Sequence, residues 1–101
     1  MMLDRQNQLI GINTVSIGSL STSIVHPREV WKPAILSNAT AVIFGHNHPS
    51  GEPTPSTEDK ELTKLLVGGG KLLGISVLDH IIIGDGTDQY FSFADEGMLT
   101  E

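Results

Sequence analysis

The chain has 101 residues, 39% of them hydrophobic, a mean hydropathy of +0.02 and a net charge of −6, which fits one globular domain over residues 1–101 and excludes a disordered chain. It has no cysteine, so disulfides, thiolate metal sites and cysteine nucleophiles are excluded together, and any metal must be held by His, Asp or Glu. The six basic residues are scattered rather than clustered as a phosphate-binding surface requires, and no apolar run approaches the ~20 residues of a membrane helix. No nucleic-acid surface and no membrane partner are therefore expected. The start, Met1-Met2-Leu3-Asp4-Arg5, is unlike a signal peptide, which makes the cytoplasm the expected compartment.

Residues 8–17 (QLIGINTVSI) mix β-branched and apolar side chains with little charge and predict a strand. Gly18-Ser19 marks a turn, and residues 20–25 (LSTSIV) read as a second, shorter extended piece. Pro27 suits the first position of a helix, and Val30, Trp31, Ala34, Ile35 and Leu36 follow at helical spacing. Pro33 falls inside that pattern, so a kink or local irregularity is expected there. Residues 40–44 (TAVIF) read as a buried central strand ending in Gly45, with residues 46–55 as a polar, proline-rich loop. Ser56 opens the next helix, whose apolar stripe is Leu62, Leu65, Leu66 and Leu72. Gly68-Gly69-Gly70 should fray or bend it, since each glycine costs up to ~1 kcal/mol relative to alanine. Residues 75–83 (ISVLDHIII) predict a second strongly apolar strand, Gly84-Asp85-Gly86 a turn, and residues 90–93 a short last strand. This order describes an α/β fold, a mixed β-sheet with flanking helices.

The chemistry concentrates in residues 46–59. His46 and His48 lie at i and i+2 just past a buried strand. If that stretch stays extended, both imidazoles point to one face and can reach one ion. Asp59 lies in the first turn of the next helix, and Pro49, Pro53 and Pro55 restrict the loop between them before folding. Two imidazoles and one carboxylate leave a fourth tetrahedral position open, the mark of a catalytic zinc site, so one Zn2+ per domain is the expected cofactor. Water at such a position can reach a pKa of about 7. Hydrolysis also needs a carboxylate to move a proton and a donor to hold an oxyanion, and Ser56 is placed in sequence for the second role.

Each of these residues has a plainer meaning by itself. A single histidine at a strand end is usually a polar boundary residue. Ser56-x-x-Asp59 also reads as a capping box, which is compatible with ligation by Asp59. Their conjunction is what points to a metal. Among the neighbours, Asn47 should face away and brace the loop, and Ser50-Gly51 should turn tightly with a positive φ at the glycine. His80, preceded by Asp79, is either a satisfied buried histidine or an orienting partner of a ligand, as carboxylate–histidine pairs are. His26 reads as a boundary residue, and Glu52 and Glu58 as solvated or dipole-favouring charges. Trp31 is core or an oligomer contact, which leaves a homo-oligomer open.

The segment from His46 through Asp59 (HNHPSGEPTPSTED) resembles the JAMM motif of MPN/JAB-domain metalloproteases, His-x-His followed by Ser-x-x-Asp. It is closer still to the RadC family of bacterial proteins, whose flanking stretches are matched by His26-Pro27-Arg28-Glu29-Val30 and Leu78-Asp79-His80-Ile81-Ile82-Ile83-Gly84. The resemblance runs from about Leu3 to Leu99. It implies a JAB/MPN-like sandwich, similar to the cytidine-deaminase-like arrangement, with His46, His48 and Asp59 as zinc ligands. It implies catalytic support of a tetrahedral intermediate by Ser56, and zinc-dependent hydrolysis of a peptide or isopeptide bond in an unidentified protein substrate.

JAMM proteases also use a glutamate from a strand upstream of the motif. Here the acids before His46 are Asp4, which matches the end of that strand, and Glu29, which reads as a charge favouring a helix N-terminus. The chain is therefore expected to be the C-terminal part of a RadC-type protein, lacking its N-terminal region and first strand, and to bind metal while hydrolysing poorly. A catalytically silent MPN-type interaction module of a DNA-repair-associated protein is the alternative. An HNH nuclease ranks last, because that signature is spread over a ββα element and the acidic charge disfavours DNA.

Overall fold

The described elements run β1 (Met2–Leu3), β2 (Leu9–Gly11), α1 (Pro27–Leu36), β3 (Ala41–His48), α2 (Thr57–Leu73), β4 (Ser76–Gly84) and β5 (Tyr90–Ser92). They come from a computed structural model in which residues 1–12 and 27–99 are described. The strands form one mixed sheet in the order β2-β1-β3-β4-β5, parallel between β3 and β4 and antiparallel elsewhere. The two apolar runs form the parallel pair because α2 connects them, and a parallel pair requires such a crossover. The fold is thus the expected α/β type. The extended piece over residues 20–25 and the boundary residue His26 lie outside the described residues.

Strand β1 is too short for a sequence pattern to predict. Asp4 follows it and accepts the N–H groups of Gln6 and Gln8, both at 2.9 Å, holding the turn into β2. Helix α1 starts at Pro27, carries Glu29 in its first turn and continues through Pro33 to Leu36. Its inward residues are Val30, Trp31 and Ala34, and Trp31 is core.

The strand expected over residues 8–17 is seen as β2, Leu9–Gly11, with residues 13–17 and the Gly18-Ser19 turn outside the described residues, and two further boundaries differ from the sequence expectation. Strand β3 does not end at Gly45: it continues through His46 and Asn47 to His48, because β4 offers ladder partners as far as Gly84. The proline-rich loop therefore begins after the histidines. Helix α2 does not fray at Gly68-Gly69-Gly70 but runs unbroken to Leu73, where Gly74 closes it in the left-handed conformation. Tertiary packing explains this. A Cβ on Gly70 would lie 2.5 Å from the Ile75 carbonyl oxygen and 3.0 Å from Trp31 Cη2, and one on Gly69 would lie 3.1 Å from Trp31 Nε1. The glycines let the indole and the start of β4 approach the helix closely, and that contact offsets their low propensity.

Val30, Trp31, Ala34, Val42, Leu62, Leu66 and Ile75 join α1, α2 and β3 into one core cluster. No described helix is long and apolar enough to cross a membrane. The parallel pair and its crossover helix set the stage for the site. The carboxyl end of β3 and the amino end of α2 meet, the position where α/β sheets commonly bind ligands.

Candidate metal centre

Because β3 stays extended, His46 and His48 project to one side, and their ring centroids are 4.9 Å apart. After His48 the chain turns through Gly51, at φ 85°, whose N–H donates to the His48 carbonyl at 3.0 Å. A Cβ on Gly84 would strike the Gly51 carbonyl oxygen, so glycine there lets this turn lie against the end of β4. The loop returns to Ser56, which caps α2. Its Oγ accepts the Asp59 N–H at 3.0 Å, and Asp59 Oδ2 accepts the Ser56 N–H at 2.8 Å. This reciprocal box holds a 3%-exposed carboxylate in one orientation.

Three side chains converge as a result. His46 Nε2 is 3.1 Å from His48 Nε2 and 3.4 Å from Asp59 Oδ1, and His48 Nε2 is 3.2 Å from Asp59 Oδ2. These groups could hold a metal ion, and they line a cleft of about 420 Å³ together with Asn47, Pro49, Ser56, Thr57 and Glu58. The donor set fits a cation on its own chemistry. His48 Nδ1 lies 2.8 Å from the Glu52 carbonyl oxygen, which can only accept, so the ring hydrogen sits on Nδ1. With Nδ1 engaged in this way, Nε2 is the nitrogen that faces the carboxylate, 3.2 Å from Asp59 Oδ2. The two Nε2 atoms and a carboxylate oxygen lie within 4.8 Å of one another, a spacing that one cation can bridge.

The family model for the RadC-like JAB domain matches residues 1–98. The chain belongs to this family. A UPF0758 protein of Methanosarcina acetivorans is 59% identical over 99 residues, and one of Trichlorobacter lovleyi is 58% identical over 99; each match takes in 98% of this chain and 42% of the relative. A UPF0758 protein of Caldanaerobacter subterraneus subsp. tengcongensis is 64% identical over 86 residues, 85% of this chain and 37% of the relative. The JAB domain described here thus spans about two-fifths of the length of the relatives it matches.

The electrostatics of this JAB domain favour ligand-ready protonation states. Burial lowers the His46 pKa; the nearby Asp59 charge opposes this, and His48 adds to it. Burial would raise Asp59, but hydrogen bonding from the Ser56 backbone and side chain, with His46 and His48 nearby, outweighs it and leaves the carboxyl below its ordinary value. His80 is pushed down to about 4, chiefly by burial and then by the His46 charge. Both buried imidazoles are neutral and Asp59 is ionised at neutral pH, as divalent-metal ligation requires.

The structure brings His46, His48, Ser56 and Asp59 together, as the motif spacing suggested. The Asn47 side chain does brace the turn, donating from Nδ2 to Asp85 Oδ2 at 3.1 Å, while the residue also lines the cleft. Asp79 and His80 do not form a carboxylate–histidine pair. Asp79 Oδ1 accepts the His80 and Ala94 N–H groups at 2.7 and 3.0 Å, and Oδ2 accepts the Ser92 hydroxyl at 2.6 Å. The His80 ring contacts His46 and Thr63 instead. Sequence reasoning missed Thr63 and the Glu52 carbonyl, since neither a helical threonine nor a main-chain oxygen leaves a motif. Glu58, read from sequence as a solvated or dipole-favouring charge, also lines the cleft.

Proposed function

We propose that this domain is a zinc-dependent hydrolase of JAMM type that acts on a peptide or isopeptide bond, with Zn2+ held by His46, His48 and Asp59. The observation that carries the reading is the convergence of His46 Nε2, His48 Nε2 and the Asp59 carboxylate within 4.8 Å of one another, a donor set and spacing that suit one cation. When bound there, zinc supplies Lewis acidity, polarising a carbonyl and acidifying water.

The remaining roles belong to the chain's own side chains. Asp59 is held by the capping box, so its carboxylate keeps one orientation as substrate enters. Ser56 lines the cleft beside it and is assigned to hold the oxyanion, which is compatible with capping because its Oγ can still donate its hydrogen while it accepts the Asp59 N–H. Peptide fits better than nucleic acid as substrate, given the net charge of −6. A cytoplasmic setting goes with this reading.

A catalytically silent MPN-type interaction module is the second reading, and within this domain the two acids before His46 have structural work instead. Asp4 is committed to the turn after β1, and Glu29 sits in the first turn of α1, 3.5 Å from Arg28 Nε. The test is metal content of the purified protein, followed by hydrolysis of a peptide library by the longer native protein. Zinc near one per domain and cleavage abolished by Asp59→Asn support the hydrolase. Zinc without cleavage supports the silent module, and absence of zinc overturns the hydrolase.

A further inference from the structure

Behind His46 stands a histidine that does not line the cleft. His80 is 1% exposed, stacked on Phe93 at 4.8 Å and 9°, and edge-on to Phe44. An imidazole in so apolar a setting needs partners for both nitrogens. His80 Nε2 lies 2.8 Å from His46 Nδ1, and His80 Nδ1 lies 2.5 Å from Thr63 Oγ1. The Thr63 hydroxyl donates to the Asp59 carbonyl oxygen at 2.8 Å, one turn back along α2.

Counting hydrogens sets the direction of this chain. A carbonyl only accepts and a hydroxyl carries one hydrogen, so with that hydrogen given to Asp59, Thr63 Oγ1 must accept from His80 Nδ1–H. A neutral ring with its hydrogen on Nδ1 carries a lone pair on Nε2, which accepts in turn from His46 Nδ1–H. His46 is left with a bare Nε2 facing His48 and Asp59. The Glu52 carbonyl likewise takes the His48 Nδ1 hydrogen and leaves Nε2 as the nitrogen facing the centre, in one step.

We propose that Thr63 and His80 are positioning residues that hold His46 in the Nδ1–H tautomer, the form able to ligate a divalent cation through Nε2. The inference rests on the metal reading above and deepens it. Were the Thr63 hydroxyl turned to His80 instead, the bond to the Asp59 carbonyl would be lost, the two bonds made by the His80 ring would reverse, and His46 would point an N–H at the centre. The relay also ties the ligands together. Asp59 supplies the third ligand with its side chain and ends the relay with its main-chain oxygen, so one turn of α2 orients both.

The test is zinc affinity, measured by competition with a chromophoric chelator, alongside NMR shifts of the His46 ring nitrogens in metal-free protein. Thr63→Val and His80→Phe are expected to weaken zinc about tenfold to a hundredfold, the usual cost of losing an outer hydrogen-bond partner of a metal-ligating histidine. Thr63→Ser restores the affinity. The double variant loses no more than the weaker single one, because the two residues act as one relay. The wild-type His46 ring carries its hydrogen on Nδ1 and loses that preference in Thr63→Val. Zinc bound equally well by wild type and Thr63→Val, or a wild-type His46 with its hydrogen on Nε2, overturns this inference alone. No zinc binding by the wild type overturns the metal reading and the relay with it. If His80→Phe fails to fold, the Thr63→Val and Thr63→Ser pair decides.

Discussion

Asp59 and Asp79 are both carboxylates on well-packed elements, and both accept backbone N–H groups, yet they do opposite work. Among the described residues the Asp79 side chain hydrogen-bonds to donors, two backbone N–H groups and the Ser92 hydroxyl, which tie β4 to the turn after β5. Asp59 accepts one N–H from Ser56, and its remaining close neighbours are imidazole nitrogens. A carboxylate surrounded by hydrogens is finished as a structural element. One whose other close neighbours are imidazole nitrogens could share a metal ion with them, and the difference lies in who supplies the hydrogens.

That contrast breaks most sharply on metal. Asp59→Asn should lower zinc affinity by more than about a hundredfold, beyond the cost of an outer partner, whereas Asp79→Asn should leave it nearly unchanged. Chelator competition on both variants checks this, and equal losses would dissolve the distinction.

Acid separates the two regions next. With zinc removed by chelator, the neutral His80 has a folded pKa of about 4 against about 6.5 unfolded. Below 6.5 the unfolded chain binds the extra proton, so stability is complete above that pH and falls progressively toward 4, by about 3 kcal/mol for this group. His46 shifts in the same direction and adds to the loss. Asp59 contributes in a more acidic window, its stability lost only as pH falls from its ordinary value through its lowered one. Denaturant melts between pH 7 and 4 measure the slope; a flat profile would contradict the buried neutral imidazoles.

Asp79→Asn should destabilise the fold by about 1–3 kcal/mol, because an amide turns donors toward donors. Urea unfolding of the metal-free protein measures it. The smallest effect is Ser56→Ala, about 1 kcal/mol from loss of the helix cap, read from the same melts. A zinc affinity that falls along with it would show that the cap also orients Asp59.

Much of this molecule was legible from sequence because the governing patterns are local. The apolar runs of β3 and β4, the proline start of α1 and the capping box of α2 are each written within a few residues. So is the His-x-His spacing, whose meaning holds as long as the strand stays extended. What failed shows where locality ends. Gly68-Gly69-Gly70 looked like a break, and only Trp31 and Ile75, brought from elsewhere in the chain, show why the helix needs small residues there. His46 looked like the start of a loop until β4 supplied its ladder.

The same limit applies to the two carboxylates. Their identities, and the nearness of Ser56 to one and His80 to the other, are properties of the sequence. Which of them would be satisfied by hydrogens was decided only when β4 set Asp79 toward Ser92 and His80 toward Thr63. Hydrogen-bond roles depend on atoms within about 3 Å, and residues 17 and 34 positions apart reach that distance only through the tertiary fold.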